Sequence, residues 1–255
     1  MKQTIICPAG NSPALTYAAK ALADRGILVA ERPEADVTHL LLPVPSFDDG
    51  GRIRGGGVLE HILADLPENV TIVGGNLSHP MLENYAKLDL LQDEDYLLQN
   101  AAITADCAIR IAGSRLGIIW KGCPVLIIGW GRIGKFLAKH LQAIGADIAV
   151  AARKSTDRAW IRALGFRPEV PDRLGSSLPR YRVIFNTAPS PILSASQTAL
   201  CRQDCLLIDL ASSSGIAGEN VIQARGLPGK DVPESSGLLI ARSVIRLLAE
   251  KEKSL

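Results

Sequence analysis

Three glycines spaced two and three residues apart make the first chemical statement in this chain. They stand in Val125-Leu-Ile-Ile-Gly129-Trp-Gly131-Arg132-Ile133-Gly134-Lys-Phe-Leu-Ala, an apolar run followed at once by a helix-compatible one. In such a context Gly129 permits a tight strand-to-helix turn, Gly131 lets the backbone approach a pyrophosphate, and Gly134 lets the helix pack against the strand. Amides at the helix start, those of Arg132 and Ile133 included, then face the anion with the macrodipole behind them. An ordinary glycine-rich turn has the same letters. What separates the two is the strand before it and the single apolar face of the helix after it, Ile133, Phe136, Leu137 and Leu141, closed by Gly145.

A second position chooses between dinucleotides. An NAD site usually carries Asp or Glu about 20 residues past the first glycine, where it holds both ribose hydroxyls. This chain has Ala151-Ala152-Arg153-Lys154-Ser155 there, and Asp147 lies at the beginning of the strand, on the wrong side to reach a ribose. Arg153 and Lys154 suit a 2′-phosphate, the Arg plane can stack on adenine, and Ser155 or Thr156 can donate a hydrogen bond and cap the next helix. The residues therefore predict NADP rather than NAD.

These groups need a scaffold, and the apolar periodicity supplies one. Strands are predicted at Val125–Ile128, Asp147–Ala152, Val183–Asn186 and Leu206–Leu210, with helices at Ile133–Ile144 and near Ala159–Leu164. That alternation predicts a Rossmann-type, doubly wound parallel sheet over residues 115–234. Residues 1–93 read as a smaller α/β domain: strands at Thr4–Cys7, Val37–Val44 and Thr71–Val73, and a helix opened by Ser12-Pro13 and stopped by Gly26. A helix over residues 94–114 joins the two. A C-terminal helix opening at Ser235-Ser236-Gly237 and running to about residue 250 is expected to pack back on the first domain.

Bulk properties exclude several classes. With 47% hydrophobic and 21% charged residues the chain is neither disordered nor fibrous, and a net charge of +2 gives no electrostatic case for nucleic acid. No stretch is apolar enough to span a bilayer and MKQTIICPAG has no signal-like core, so a cytoplasmic protein is expected. Cys7, Cys107, Cys123, Cys201 and Cys205 lack zinc-site spacing and read as reduced, mostly buried thiols; no metal is expected.

In combination the motifs resemble the family of dipicolinate synthase A subunits. The stretches that carry the resemblance are Leu42-Pro43-Val44-Pro45, Asn100 with Thr104-Ala-Asp106, the run from Gly129 to Lys154, Ile184-Phe-Asn-Thr187-Ala188-Pro189, Ile208-Asp209-Leu-Ala211-Ser212 and Gly226-Leu-Pro-Gly-Lys230. The resemblance implies an NADP-dependent enzyme of sporulation that dehydrogenates a dihydrodipicolinate-type cyclic dicarboxylate to dipicolinate, with a flavoprotein-like second subunit. Family members are longer and carry a helix that here shrinks to residues 213–220, which predicts a trimmed far edge of the cofactor domain.

Aromatising a dihydropyridine dicarboxylate calls for positioning and for groups that bind carboxylates. The ends of the later strands should lie beside the reactive ring of the cofactor, which points to Thr187, Ala188, Pro189, Asp209 and Ala211. Thr187 is also a candidate for touching a bound carboxylate, against the alternative of a turn residue before proline. For substrate the candidates are Pro43, Val44 and Pro45 closing a strand, Ser212, Lys230 as a cation on a glycine-rich turn, and Ser235 and Ser236 at a helix start. On the long helix, Asn100 and Thr104 are one turn apart and can face one ligand, and Asp106 is a candidate proton acceptor.

Other readings stay open. A 2-hydroxyacid dehydrogenase needs a late His acid, and His39, His61, His79 and His140 all fall elsewhere. A shikimate-dehydrogenase-like enzyme shares the Asn-Thr-x-Pro segment but needs an N-terminal Lys/Asp pair without a counterpart here. A homo-oligomer is compatible with the sequence, as is a non-catalytic NADP-binding regulatory subunit.

Overall fold

The computed structural model describes residues 3–253. The chain divides into two compact units, Met1–Asn100 with Pro228–Leu255, and Ala101–Leu227. They are of nearly equal size once the C-terminal segment is counted with the first.

The first unit begins β1 (Ile5–Pro8), α1 (Pro13–Ala23), β2 (Leu28–Val29), β3 (His39–Leu41), α2 (Leu59–Ala64), β4 (Thr71–Gly74), β5 (Ala86–Asp89). Its five strands are all parallel, in the order β2-β1-β3-β4-β5. Ile6, Leu40, Leu41, Ile72 and Val73 are sealed in the sheet. β3 is shorter than the apolar run Val37–Val44 because Pro43 and Pro45 have no N–H to donate, so the ladder ends with the bond from Leu42 N–H to Val73 O at 2.8 Å. α1 starts as predicted, with Pro13 in its first turn, although the Ser12 hydroxyl makes no capping bond.

The chain then crosses between units on α3 (Glu94–Gly113), a helix of 20 residues. The second unit follows as β6 (Pro124–Ile128), α4 (Arg132–Ala143), β7 (Asp147–Ala151), α5 (Ser155–Ala163), β8 (Arg167–Glu169), β9 (Val183–Asn186), α6 (Ala195–Thr198), β10 (Leu206–Asp209), β11 (Val221–Gln223). Its six strands are all parallel, in the order β8-β7-β6-β9-β10-β11. Numbered within the unit this is 3-2-1-4-5-6, the dinucleotide-binding order. The expected doubly wound, Rossmann-type sheet is thus present in the second unit, and the first unit is α/β as well. Residues 213–220 hold no helix, yet the far edge is complete, because β11 follows and pairs with β10 from Val221 to Gln223.

Strands β2, β5, β8 and β11 escape a pattern reading for one reason. Each is an edge or near-edge strand, short and only partly covered, with sequences such as Ala-Lys-Leu-Asp or Arg-Pro-Glu that carry no apolar run.

The C-terminal segment forms α7 (Leu227–Asp231) and α8 (Pro233–Lys253). Two expectations are corrected here. Gly226-Leu-Pro-Gly-Lys230 is a short helix after Gly226, not an open turn. α8 starts at Pro233, with the Ser236 N–H already bonded to Val232 O at 3.1 Å, so Ser235 and Ser236 lie inside the first turn and are not its cap. α8 packs on α1 where Gly237 has no side chain: a Cβ there would stand 2.4 Å from Ala14 O and 2.5 Å from Tyr17 Cβ. Gly237→Ala should therefore destabilise the protein by about 1–3 kcal/mol through overpacking, although alanine gains roughly 1 kcal/mol of helix propensity. A urea midpoint raised by the substitution would show that the two helices tolerate wider spacing.

Candidate functional site

At the β6/β9 boundary the winding of the second sheet reverses, and ligands of such sheets bind outside the carboxyl ends of the strands there. A cavity of about 280 Å³ lies at that point. Its lining joins the glycine turn (Ile128, Gly129, Trp130, Gly131), the end of β7 (Ala151, Ala152, Arg153, Lys154) and the end of β9 (Thr187, Ala188, Pro189), with Asp157, Pro171 and Ile192.

Each glycine of the turn meets a different demand. Gly129 has φ +108°, in the left-handed region, and a Cβ on it would stand 2.4 Å from Thr187 Oγ1. A Cβ on Gly134 would stand 2.2 Å from Gly129 O, so the helix can close on the turn only with glycine here. Gly131 has no heavy atom within 4 Å of its Cβ position; that space opens on the cavity it lines. A cradle that a side chain would fill, at the start of a helix of 12 residues, fits a diphosphate. Arg132 and Ile133 form the first helical positions of α4, and the Lys135 N–H bonds back to Gly131 O at 3.0 Å.

Arg153 and Lys154 reach the cavity from the end of β7 and are exposed. Asp147 sits at the start of that strand and pairs with Arg167 at 3.3 Å. Ser155 does not take the predicted capping position: Lys154 is the N-cap of α5, Ser155 is its first residue, and it is not among the lining residues. Trp130 is half-buried, with its ring 6.2 Å from Phe166 in an edge-on arrangement and Lys135 Nζ 6.0 Å from its centroid.

Thr187 joins β9 to β6. Its N–H and its hydroxyl both donate to Ile128 O, at 2.8 and 3.0 Å. The hydroxyl proton is thus spent on the sheet, which leaves the side chain only acceptor capacity for a ligand.

Asp209 is a further correction. Asp209 and Asn186 are each 0% exposed. The carboxylate accepts from Asn186 Nδ2 at 2.9 Å, from the N–H of Ala211 at 3.2 Å, and from the N–H groups of Gly215 and Ile216 at 2.8 and 3.2 Å. Asn186 in turn donates to Ala188 O and accepts from Ala188 N–H, both at 3.1 Å. Asp209 therefore shapes the two strand ends from inside and presents no oxygen to the cavity; Ala211 is buried beside it, and Ser212 is exposed outside the lining.

The remaining predicted residues are not among those that line this cavity. Asp106 on α3 lies 2.9 Å from His140 Nδ1 on α4, in ion-pair range but off the line of a hydrogen bond, which ties it to its neighbour and argues against a free proton acceptor. Thr104 is buried in α3, and Asn100 is the last residue of the first unit. Pro43, Val44 and Pro45 follow β3 in the first unit, where Val44 Cγ1 comes within 2.6 Å of the Cβ position of Gly75 and the Ser46 hydroxyl donates to Pro43 O at 2.9 Å. Lys230 is exposed on α7; Ser235 is exposed and Ser236 buried on α8. Sequence reading missed Trp130, Asp157, Pro171 and Ile192. Trp130 lay inside the glycine motif and was legible by position; Asp157 lies just past the Arg153-Lys154 motif, and Pro171 and Ile192 come from later segments that only folding brings near.

Sheet order, glycine turn and cavity define an α/β protein of two units, one of them a Rossmann-type dinucleotide-binding fold. Within that class the chain is similar to the dipicolinate synthase A subunit of Bacillus subtilis (strain 168), with 28% identity over 242 residues that span 87% of this chain and 81% of that protein. The crystal structure of the dipicolinate synthase A subunit from Bacillus halodurans superposes with a TM-score of 0.84 at 22% identity, covering 98% of this chain and 99% of that one. A transhydrogenase from Sinorhizobium meliloti shares the fold more loosely, with a TM-score of 0.71 at 12% identity over 96% of this chain and 93% of its own. No family model matches the chain. The resemblance read from the motifs is borne out as similarity along most of the sequence, and the fold is shared over nearly the whole chain.

Proposed function

We propose that the chain binds NADP(H) in the cavity at the β6/β9 boundary and dehydrogenates a dihydrodipicolinate-type cyclic dicarboxylate to dipicolinate, in the cytoplasm and with a partner subunit. One observation carries the cofactor half of this reading. A single cavity gathers the open side of Gly131, the 187–189 strand end and two cations, Arg153 and Lys154, at the strand end where an NAD site carries a carboxylate. The substrate half rests on the similarity to the dipicolinate synthase A subunit, and a protein named as one subunit implies another. All five cysteines are free thiols, in keeping with a reducing compartment.

In this reading Gly129, Gly131 and Gly134 shape the diphosphate cradle, with the amides of Arg132 and Ile133 at its floor. Arg153 and Lys154 grip the 2′-phosphate, and Thr187, Ala188 and Pro189 flank the nicotinamide side. The cofactor, when bound, supplies the hydride acceptor. The chain's own work is positioning: Thr187 and the Asn186–Asp209 pair fix the strand ends, and Trp130, Pro171 and Ile192 exclude water from the cavity walls.

Titration with NADPH and NADH tests the cofactor assignment. The parent chain should bind NADPH at least about tenfold tighter, since one charge-assisted bond to the 2′-phosphate contributes roughly 1.5–3 kcal/mol. Arg153→Ala with Lys154→Ala should erase that preference, and equal affinities in the parent chain would remove the NADP assignment. Turnover is checked separately at 340 nm, with NADP and enzymatically generated dihydrodipicolinate-type substrate. Binding without absorbance change would favour a regulatory subunit.

A further inference from the structure

Arg158 lies near the positive end of α5, where the helix macrodipole disfavours a cation, and it is not one of the residues lining the cavity. Its guanidinium is nevertheless committed. Nη1 donates to Ala152 O at 2.8 Å and also to Arg153 O in a short bond, while the Arg158 N–H donates to Lys154 O at 3.2 Å. Two consecutive carbonyls of the loop between β7 and α5 thus end on its guanidinium, and the third bond is the main-chain bond of the helix's first turn. From the other side the Ala152 N–H is held by Glu169 O on β8, at 3.2 Å. Lys154, the N-cap, makes no side-chain capping bond, so the loop's own side chains do not close this turn.

Those contacts have an electrostatic consequence. Ala152, Arg153 and Lys154 all line the cavity, and a carbonyl oxygen turned into it would repel a phosphate. Arg158 draws the carbonyls of residues 152 and 153 onto itself and leaves the side chains of Arg153 and Lys154 as what the loop offers the cavity. Asp157, one residue earlier and in the lining, carries the opposite charge.

We infer that Arg158 is a positioning residue for nucleotide specificity: it selects the 2′-phosphate by fixing the backbone that presents Arg153 and Lys154, without touching the nucleotide. The inference rests on the proposed NADP site. It is tested with 2′,5′-ADP and 5′-AMP as probes, by calorimetry, on the parent chain, Arg158→Met, Arg153→Ala/Lys154→Ala and the triple variant. Arg158→Met keeps the stem and removes the donors, and circular dichroism with a urea midpoint checks that it folds; should it not, Arg158→Gln carries the same comparison.

The expected result is at least a fivefold loss of the 2′,5′-ADP preference in Arg158→Met and no further loss when the same change is made without Arg153 and Lys154. Full preference in Arg158→Met overturns the inference while the NADP reading stands. A loss of the same size in the background lacking Arg153 and Lys154 means direct contact and overturns positioning. A parent chain that does not distinguish 2′,5′-ADP from 5′-AMP overturns the NADP reading and this inference with it.

Discussion

Asp209→Ala is expected to cost about 3–5 kcal/mol of folding stability, because it strands several buried donors at once, each worth roughly 1–3 kcal/mol when left unsatisfied. The donors are the Asn186 amide and the N–H groups of Ala211, Gly215 and Ile216, around a carboxylate that is 0% exposed. Set against a typical domain stability of about 5–15 kcal/mol, such a loss is a large share. Gly215 offers no relief, since its Cβ position lies only 2.2 Å from Asn186 Nδ2 and the segment is already packed against the amide. Asp209→Asn keeps one acceptor oxygen but turns an NH₂ toward an N–H donor, so its loss should be intermediate. Urea unfolding measures both. A midpoint for Asp209→Ala within error of the parent chain would mean that water satisfies these donors and that the network is not what orders the strand ends. Nucleotide affinity should fall alongside stability, because Ala188, which lines the cavity, hangs from Asn186 by two hydrogen bonds.

Gly134→Val should lower NADPH affinity by about thirtyfold or more, equivalent to roughly 2 kcal/mol of overpacking strain transmitted to the turn. The first added carbon would stand 2.2 Å from Gly129 O and 3.4 Å from Thr187 Oγ1, and the first of these is backbone that cannot rotate away. Helix α4 must then retreat from β6, taking its first-turn amides out of the cradle and lowering stability as well. Gly131→Val separates the two effects. Its Cβ meets nothing within 4 Å, so the fold should keep its urea midpoint while the side chain occupies the space assigned to the diphosphate. Unchanged NADPH binding in Gly131→Val would place the nucleotide elsewhere, whatever Gly134→Val does.

Much of the site was legible because its chemistry is local. The glycine turn and the Arg153-Lys154 pair each follow a strand whose apolar run is unmistakable, and Thr187-Ala188-Pro189 follows another. The misread residues share a feature too. Asp209 and Asp106 looked available because a carboxylate in a sequence carries no sign of its partners; one is surrounded by amides and the other sits beside His140. Ser155 and Ser235-Ser236 were read as helix starts by residue type, yet Lys154 caps α5 without a side-chain bond and Pro233 opens α8. Arg158 went unnoticed because its partners are carbonyls, which every residue has.

The sequence by itself determined that a glycine turn joins an apolar strand to an amphipathic helix and that cations, not a carboxylate, end the next strand. Those are properties of neighbours within one or two turns of chain, where residue type and spacing fix backbone angles and charge. Only the tertiary structure decided the order of the strands, the walls that Pro171 and Ile192 add to the cavity, and the inward turn of Asp209. Edge strands without an apolar signature gain their ladder bonds only from a partner strand, and a polar side chain acquires its role only from the donors that folding brings around it.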